Sequence, residues 1–413
     1  MSSAIAQQTP SSGPLTLNQC IALAKAAPST VKRAKLAAEA GRLGTRSAIG
    51  SFLPQLSISN TFTYNSPLLY DRRTFSFVAL NGIHEYASLG TATLDVDTSG
   101  RLLSQLGRAR ANQRIAEANL AISGRDLERS VAQAYYHLLL ARHLAAAAHA
   151  NLDTARNFES IVQKLVNGEE ASRADLNKAT LETSLMERTA LSSDLEAEMA
   201  NHDLASYWTN DVTTPLTLAE DLNAEPAAPL HAMLDKPFLK RPEFRLLDAQ
   251  AYGFRADARQ SLSRMLPQLS ATFQYGIDSN RVTWRDRGYA GIVHLEIPVF
   301  DWLRNRSEQR SFQLQAKQAE IDKAIAQRTY SKEYQDALAS VNANYAQIAV
   351  ADRELKAAEE NLRLSKLRFQ AGEGLALDVV SAQTSFAQAQ IDFYSARANY
   401  LNAQSALKVA SGQ

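Results

Sequence analysis

Apolar positions along the chain keep two different periods, and each period marks out one kind of element. Tyr334, Val341, Ile348, Leu355, Leu362 and Phe369 recur every seven residues without a break. Such a repeat is a coiled-coil seam, whose apolar positions need neighbouring helices to cover them. Val131, Leu138, Ala145, Leu152, Glu159 and Val166 keep the same register 203 positions earlier, with one charged exception. A helix from Arg101 to Val166, rising about 1.5 Å per residue, is roughly 100 Å long. The second period is two. Leu56, Ile58, Phe62 and Tyr64 alternate with Ser57, Ser59, Thr61 and Thr63, and Leu269, Ala271, Phe273, Tyr275 and Ile277 alternate with Gln268, Ser270, Thr272 and Gln274. This predicts strands with one apolar and one polar face. Return strands are predicted around residues 86–97, where small residues separate Tyr86 from Leu94 and Val96, and around 289–299. In the latter, Tyr289, Val293, Leu295, Ile297 and Val299 oppose Ile292, His294 and Glu296.

The pentapeptide LPQLS stands at both helix-to-strand junctions, Leu53–Ser57 and Leu266–Ser270, so the chain reads as two halves built to one plan. A flexible tail over 1–14 precedes a first repeat over 15–210, with an Ala-rich helix, the strand pair 55–65 and 86–97, and a long helical hairpin. An irregular connector over 211–242, holding Pro215, Pro226, Pro229, Pro237 and Pro242, leads to a second repeat over 243–413 with the strand pair 268–278 and 289–299. Each hairpin turns at a glycine, in NGEEASRADL and AGEGLALDVV, which sets Gly168 and Gly372 where a helix C-cap wants positive φ. The fold class is mainly α with a β-barrel portion. Four amphipathic strands cannot close a barrel alone, because single-chain barrels start at about eight strands, so several chains must pool theirs. An ordinary two-sided sheet is the alternative.

Composition narrows the function. The 413 residues are 45% hydrophobic, enough for a large core, and only 17 Gly and 12 Pro interrupt the helical tracts. A net charge of +1 gives no basic field for nucleic acid. The lone Cys20 excludes an intramolecular disulfide and any multi-cysteine metal motif. No apolar run reaches the roughly 18 residues of a membrane-spanning helix, but a barrel strand needs only about 10 alternating ones. Ala4-Ile5-Ala6 fits the small-x-small pattern before a cleavage site and reads as the end of a truncated export signal. His137, His143 and His149 are six apart, which turns each about 240° from the last and scatters them around a helix rather than gathering them on a metal. No nucleophile elbow, phosphate loop or HExxH motif is present, so neither an enzyme nor a cofactor is expected. The pairs Glu169-Glu170 and Glu359-Glu360 read as solvated faces.

In order along the chain, LTLNQCIALAKAAP, the two LPQLS junctions, IPVFDWLRNRSEQR (Ile297–Arg310), RFQAGEGLALDVV (Arg368–Val380) and NYLNAQSALKVASG resemble the TolC family of outer-membrane efflux proteins over nearly the whole length. The resemblance implies a homotrimer whose twelve pooled strands form one transmembrane barrel in outer-membrane lipid. Below it an α-helical tunnel would extend into the periplasm of a Gram-negative-type bacterium. It implies a passive exit duct for tripartite efflux or type I secretion, joined to a periplasmic adaptor protein and an inner-membrane transporter. Phe62, Tyr64, Phe273, Tyr275 and Leu295 would face lipid. Gly168, Glu170, Arg173, Gly372 and Glu373 would form the adaptor-docking tips, and Asp378 with Glu373 the periplasmic gate, unless Asp378 is simply a helix N-cap. Two departures stand out. Gly372 to Asp378 spans six residues but Gly168 to Asp175 seven, so the first tip is expected to differ in shape. Phe369, Gly374 and Ser381 replace a tyrosine, an arginine and a second aspartate of the family's polar latch. A soluble coiled-coil scaffold is the competing reading.

Overall fold

The structure, a computed structural model, describes residues 13–64, 66, 84–225, 227, 228 and 236–412. Nearly all of the tail, the Ala4-Ile5-Ala6 site, the last predicted residue of the first strand, and Pro226 and Pro229 lie outside them. In chain order the elements are α1 (Leu17–Ala26), α2 (Thr30–Gly50), β1 (Gln55–Tyr64), β2 (His84–Val96), α3 (Arg101–Asn167), α4 (Arg173–Ala205), α5 (Pro242–Ser263), β3 (Gln268–Ser279), β4 (Arg287–Glu296), α6 (Arg304–Gln370) and α7 (Ala376–Ala410). Helices α3 and α6 are both 67 residues long. The opening helical stretch is two helices rather than one. Pro28 cannot donate into a continuing helix, so α1 stops at Ala26 and α2 restarts beyond Ser29, whose Oγ accepts the Lys32 amide at 3.4 Å.

The chain forms two compact units, each drawing on both halves of the sequence. One comprises residues up to 34, 120–242 and from 326 onward; the other comprises 35–119 and 243–325. In the first unit, Cys20, Ala24, Val131, Tyr135, Leu138 and Leu204 are buried together with Leu216 and Leu222 of the connector. The connector is tied down by its backbone. The Leu15 amide donates to Thr217 O at 2.7 Å, and the Ala219 amide donates back to Leu15 O at 3.0 Å. Asn201 donates to Val212 O and Thr214 O and accepts from the Leu216 amide. The heptad positions behave as a seam: Val131, Leu138, Leu152, Val341, Ile348 and Leu362 are buried. Glu159, the charged exception, accepts the Thr180 hydroxyl of α4 at 2.6 Å.

In the second unit, small residues let helices approach closely. A Cβ on Gly253 would stand 3.2 Å from the Ala111 methyl and 2.7 Å from the Arg108 guanidinium, which pairs with Asp257 at 2.9 Å. The same unit carries the sheet, antiparallel throughout, in the order β1-β2-β3-β4. Strand β4 ends at Glu296 instead of Val299, because Pro298 has no amide to continue the ladder.

Candidate functional site

The hairpin tips belong to the first unit, and both reverse by the same hydrogen-bond pattern. At the second tip the Glu373 amide donates to Arg368 O at 2.9 Å and the Gly372 amide to Phe369 O at 3.1 Å, with Gly372 at φ 78°. These crossed bonds satisfy the last carbonyls of α6 and require one left-handed residue. At the first tip the Glu170 amide donates to Leu165 O at 2.8 Å and the Glu169 amide to Val166 O at 3.1 Å. The left-handed residue there is Glu169, at φ 64°, and not Gly168. The expected placement of Gly168 is therefore corrected by one position. The expected difference in tip shape goes with it: counted from the left-handed residue, Asp175 and Asp378 are both six residues on, so the turns correspond.

The returning helices start differently. Ser172 caps α4, its Oγ accepting the Asp175 amide at 3.1 Å and donating to Asp175 Oδ2 at 2.7 Å. Leu375 holds the matching place before α7 and has no side-chain acceptor. Asp378 is not the N-cap; it lies one turn in and reaches back to accept the Leu375 amide at 3.3 Å. Asp378, Glu373, Glu170 and Arg173 are all exposed, as are Leu375 and Leu377. Beneath them Phe158, Val162, Ala179, Ala376 and Val379 pack together, drawing α3, α4 and α7 to one end. The Phe369 ring meets Phe158 edge-on at 5.1 Å, so it serves packing where a tyrosine hydroxyl would serve a latch. A Cβ on Gly374 would lie 3.0 Å from the Phe369 amide nitrogen, which leaves no ready room for a longer side chain.

A polar layer higher in the same unit escaped the sequence reading. Glu182 of α4 is buried and accepts the Thr384 hydroxyl of α7 at 3.1 Å. Burial raises its carboxyl above the usual range, and the Thr384 bond opposes this. Asn151 of α3 donates to Gln390 of α7 at 2.7 Å. The scattered histidines each meet a carboxylate: His137 with Glu196, His143 with Asp221 and His149 with Asp194, at 3.1, 3.2 and 2.9 Å. Burial lowers the His143 pKa, with Asp221 opposing; its ring lies on Tyr394 at 4.9 Å. Among the described residues no group of three or more His, Cys, Asp or Glu side chains is arranged to hold a metal.

The sheet sorts side chains by face. Register pairs Phe62 with Tyr86, Ala92 with Phe273, Gly90 with Tyr275, Tyr275 with Tyr289 and Leu269 with Leu295. Directly paired residues share a face, so Phe62, Tyr64, Phe273, Tyr275 and Leu295 all lie on one side, with Ser59, Thr61, Thr93, Thr272 and Gln274 on the other. The small residues that blurred the second strand now have a reason: Ser88, Gly90 and Ala92 stand opposite Ile277, Tyr275 and Phe273, small against large. Every β4 residue and nearly every β1 residue is exposed. Among the described residues β1 pairs only with β2 and β4 only with β3, so both outer edges keep unused amides and carbonyls. No described helix is long and apolar enough to cross a membrane.

Residues 238–413 match the family model described as outer membrane efflux protein. The match takes in the end of the connector and all of the second repeat. The chain is 25% identical over 315 residues to the cobalt-zinc-cadmium resistance protein CzcC of Cupriavidus metallidurans, covering 74% of this chain and 72% of that one. Its fold is that of the CmeC outer membrane channel of Campylobacter jejuni, with a TM-score of 0.87 at 15% identity over 96% of this chain and 85% of the other. The open-state MtrE outer membrane channel of Neisseria gonorrhoeae gives 0.85 at 20% identity over 96% and 88%. The chain is thus an outer-membrane exit duct reaching into the periplasm, not an enzyme, and the soluble scaffold reading falls. A channel of this kind works as a trimer in a tripartite assembly with an adaptor and an inner-membrane transporter.

Proposed function

We propose that three copies join β4 of one to β1 of the next, so that the face with Phe62, Tyr64, Phe273, Tyr275 and Leu295 meets lipid and the face with Ser59 and Thr272 lines the lumen. The observation that carries this is a sheet with one apolar face and two unused edges, which closure alone satisfies in a medium without water. The repeats over 15–210 and 243–413 then act as quasi-equivalent halves, with 211–242 as the link between them. Exposed Glu170, Arg173 and Glu373 at tips reversed through Glu169 and Gly372 form the adaptor surface. Gly168 belongs to that surface as a neighbour of the turn. Asp378, with Glu373 beside it, contributes a ring of negative charge at the periplasmic end, which concentrates cations in a narrow passage.

Mass measurement in detergent tests the assembly and is expected to give three times the 45.3 kDa chain. Planar-bilayer recording of Asp378→Asn tests the ring. Asn keeps an acceptor for the Leu375 amide and removes the charge, so cation preference and block by a trivalent cation from the periplasmic side are expected to weaken while the trimer persists. Unchanged conductance, selectivity and block would reduce Asp378 to a helix-start residue.

A further inference from the structure

Each strand-to-helix junction of the second unit is closed by an aspartate, but by a different turn. After β2, the Asp97 carboxylate accepts the Leu102 and Leu103 amides at 3.0 and 2.9 Å, and the left-handed position is filled by Gly100 at φ 73°. After β4, the Asp301 carboxylate accepts the Leu303 and Asn305 amides at 3.1 and 2.9 Å. Here the left-handed positions are Trp302 and Leu303, at φ 56° and 63°. L side chains enter that region only against steric cost, and the first junction uses glycine at its left-handed position. Trp302 is 85% exposed, and its ring lies 4.9 Å from that of exposed Phe300. Two arginines follow, Arg304 and Arg306, in the first turn of α6. The helix dipole is already positive there, and Asp301 is committed to backbone amides. Both guanidiniums are exposed and neither forms an ion pair among the described residues.

We propose that Trp302 with Arg304 and Arg306 is a docking site for a phosphate-bearing lipid headgroup at the periplasmic-leaflet boundary of the outer membrane. This rests on the barrel reading above. Geometry supports the depth. The ten residues of β4 rise about 33 Å, and a barrel tilt of about 40° reduces that to about 25 Å, the height of the apolar band of such barrels. Exposed Ile297, Val299 and Phe300 carry the chain from the end of that strand to Trp302, and exposed Trp284, with Arg287 over its ring at 5.8 Å, stands at the strand's other end. Indole rings settle at the headgroup level, and unpaired guanidiniums complement phosphate oxygens.

The test uses the full-length trimer in phosphatidylcholine–phosphatidylglycerol vesicles whose acyl chains are brominated either near the headgroup or near the bilayer centre. With Trp208→Phe and Trp284→Phe, emission comes from Trp302 and is expected to be quenched chiefly by the shallow bromines. Leu295→Trp, with the three native tryptophans changed to Phe, is expected to respond to the deeper bromines. Native mass spectrometry is expected to show phosphatidylglycerol retention falling about fivefold for each of Arg304→Gln and Arg306→Gln. Trp302→Gly relaxes the left-handed backbone, so the trimer should keep its thermal stability in detergent while losing lipid. Absence of quenching at Trp302 alongside quenching of Leu295→Trp would overturn the site and leave the barrel standing; absence at both would overturn both. Dissociation of the detergent trimer by Trp302→Gly would assign the residue to a subunit contact instead, and unchanged retention in the arginine variants would remove phosphate recognition.

Discussion

Glu169→Gly is expected to tighten the first tip, Gly372→Ala to loosen the second, and Gly168→Ala to do no harm. Glu169 sits at φ 64°, where an L residue costs about 1–2 kcal/mol over a right-handed one. Glycine removes that cost but adds about 0.5–1 kcal/mol of unfolded-chain freedom, leaving a net gain of about 0.5–1 kcal/mol. The balance reverses for Gly372→Ala at φ 78°. Gly168 is not left-handed, and a Cβ there would lie 3.6 Å from Leu165 O and Lys164 O, an ordinary contact. Gly168→Ala should therefore gain about 0.4–1 kcal/mol. Hydrogen exchange of the turn amides is the assay, because a tip opens locally without unfolding the trimer. The Glu170 amide, bonded to Leu165 O, should exchange about two- to fivefold more slowly in Glu169→Gly, and the Glu373 amide faster by a similar factor in Gly372→Ala. Faster exchange in Glu169→Gly, or destabilisation by Gly168→Ala, would refute the assignment of the left-handed residue.

Three further outcomes follow from the same geometry. Gly276→Ala should abolish trimer formation, since its Cβ would fall 2.0 Å from Ser88 O, whereas Gly291→Ala, with nothing within 4 Å, should assemble normally on a semi-native gel. Phe273→Arg should cost about 2–4 kcal/mol near the bilayer midplane, while Thr272→Arg should mainly alter conductance; equal assembly defects would show both faces packed by protein. Burial raises the Glu182 carboxyl, so its contribution is fully present below the unfolded-state pKa and lost as pH rises through the folded one. Glu182→Gln should then raise the thermal midpoint at neutral pH and lose that advantage toward about pH 4; a gain independent of pH would count against the buried charge.

What the sequence made legible was periodic. Seven-residue spacing located the seams of α3 and α6, and alternation located all four strands, because burial acts on every turn or every second residue. Features set by one backbone angle or one distant partner were not legible. Glycine at 168 drew the turn one position early, although the count of hydrogen bonds closing α3 puts the reversal at Glu169. The weak alternation of β2 made sense only beside the aromatic residues of β3, more than 180 positions later. Glu182 and Thr384 are 202 residues apart, and no local pattern announces their bond. The rule that helices stop before proline was available at Pro28 and would have divided the opening helix.

The interleaving of the two units bears on how the protein is made. Leu15, Cys20 and Ala24 share a buried cluster with Val131 and Leu138 of α3, Leu204 of α4 and, last in the chain, Ala398 of α7, so the core around the earliest helix is completed only by almost the last. Contacts of such long range form slowly, because the loop between them must close first. A chain emerging from its N-terminus therefore stays without a finished core until α7 arrives, which suits a polypeptide that must be threaded across one membrane before it assembles in another. Truncation within α7 should leave the opening helix sensitive to proteolysis even though every residue that α1 itself contains is present.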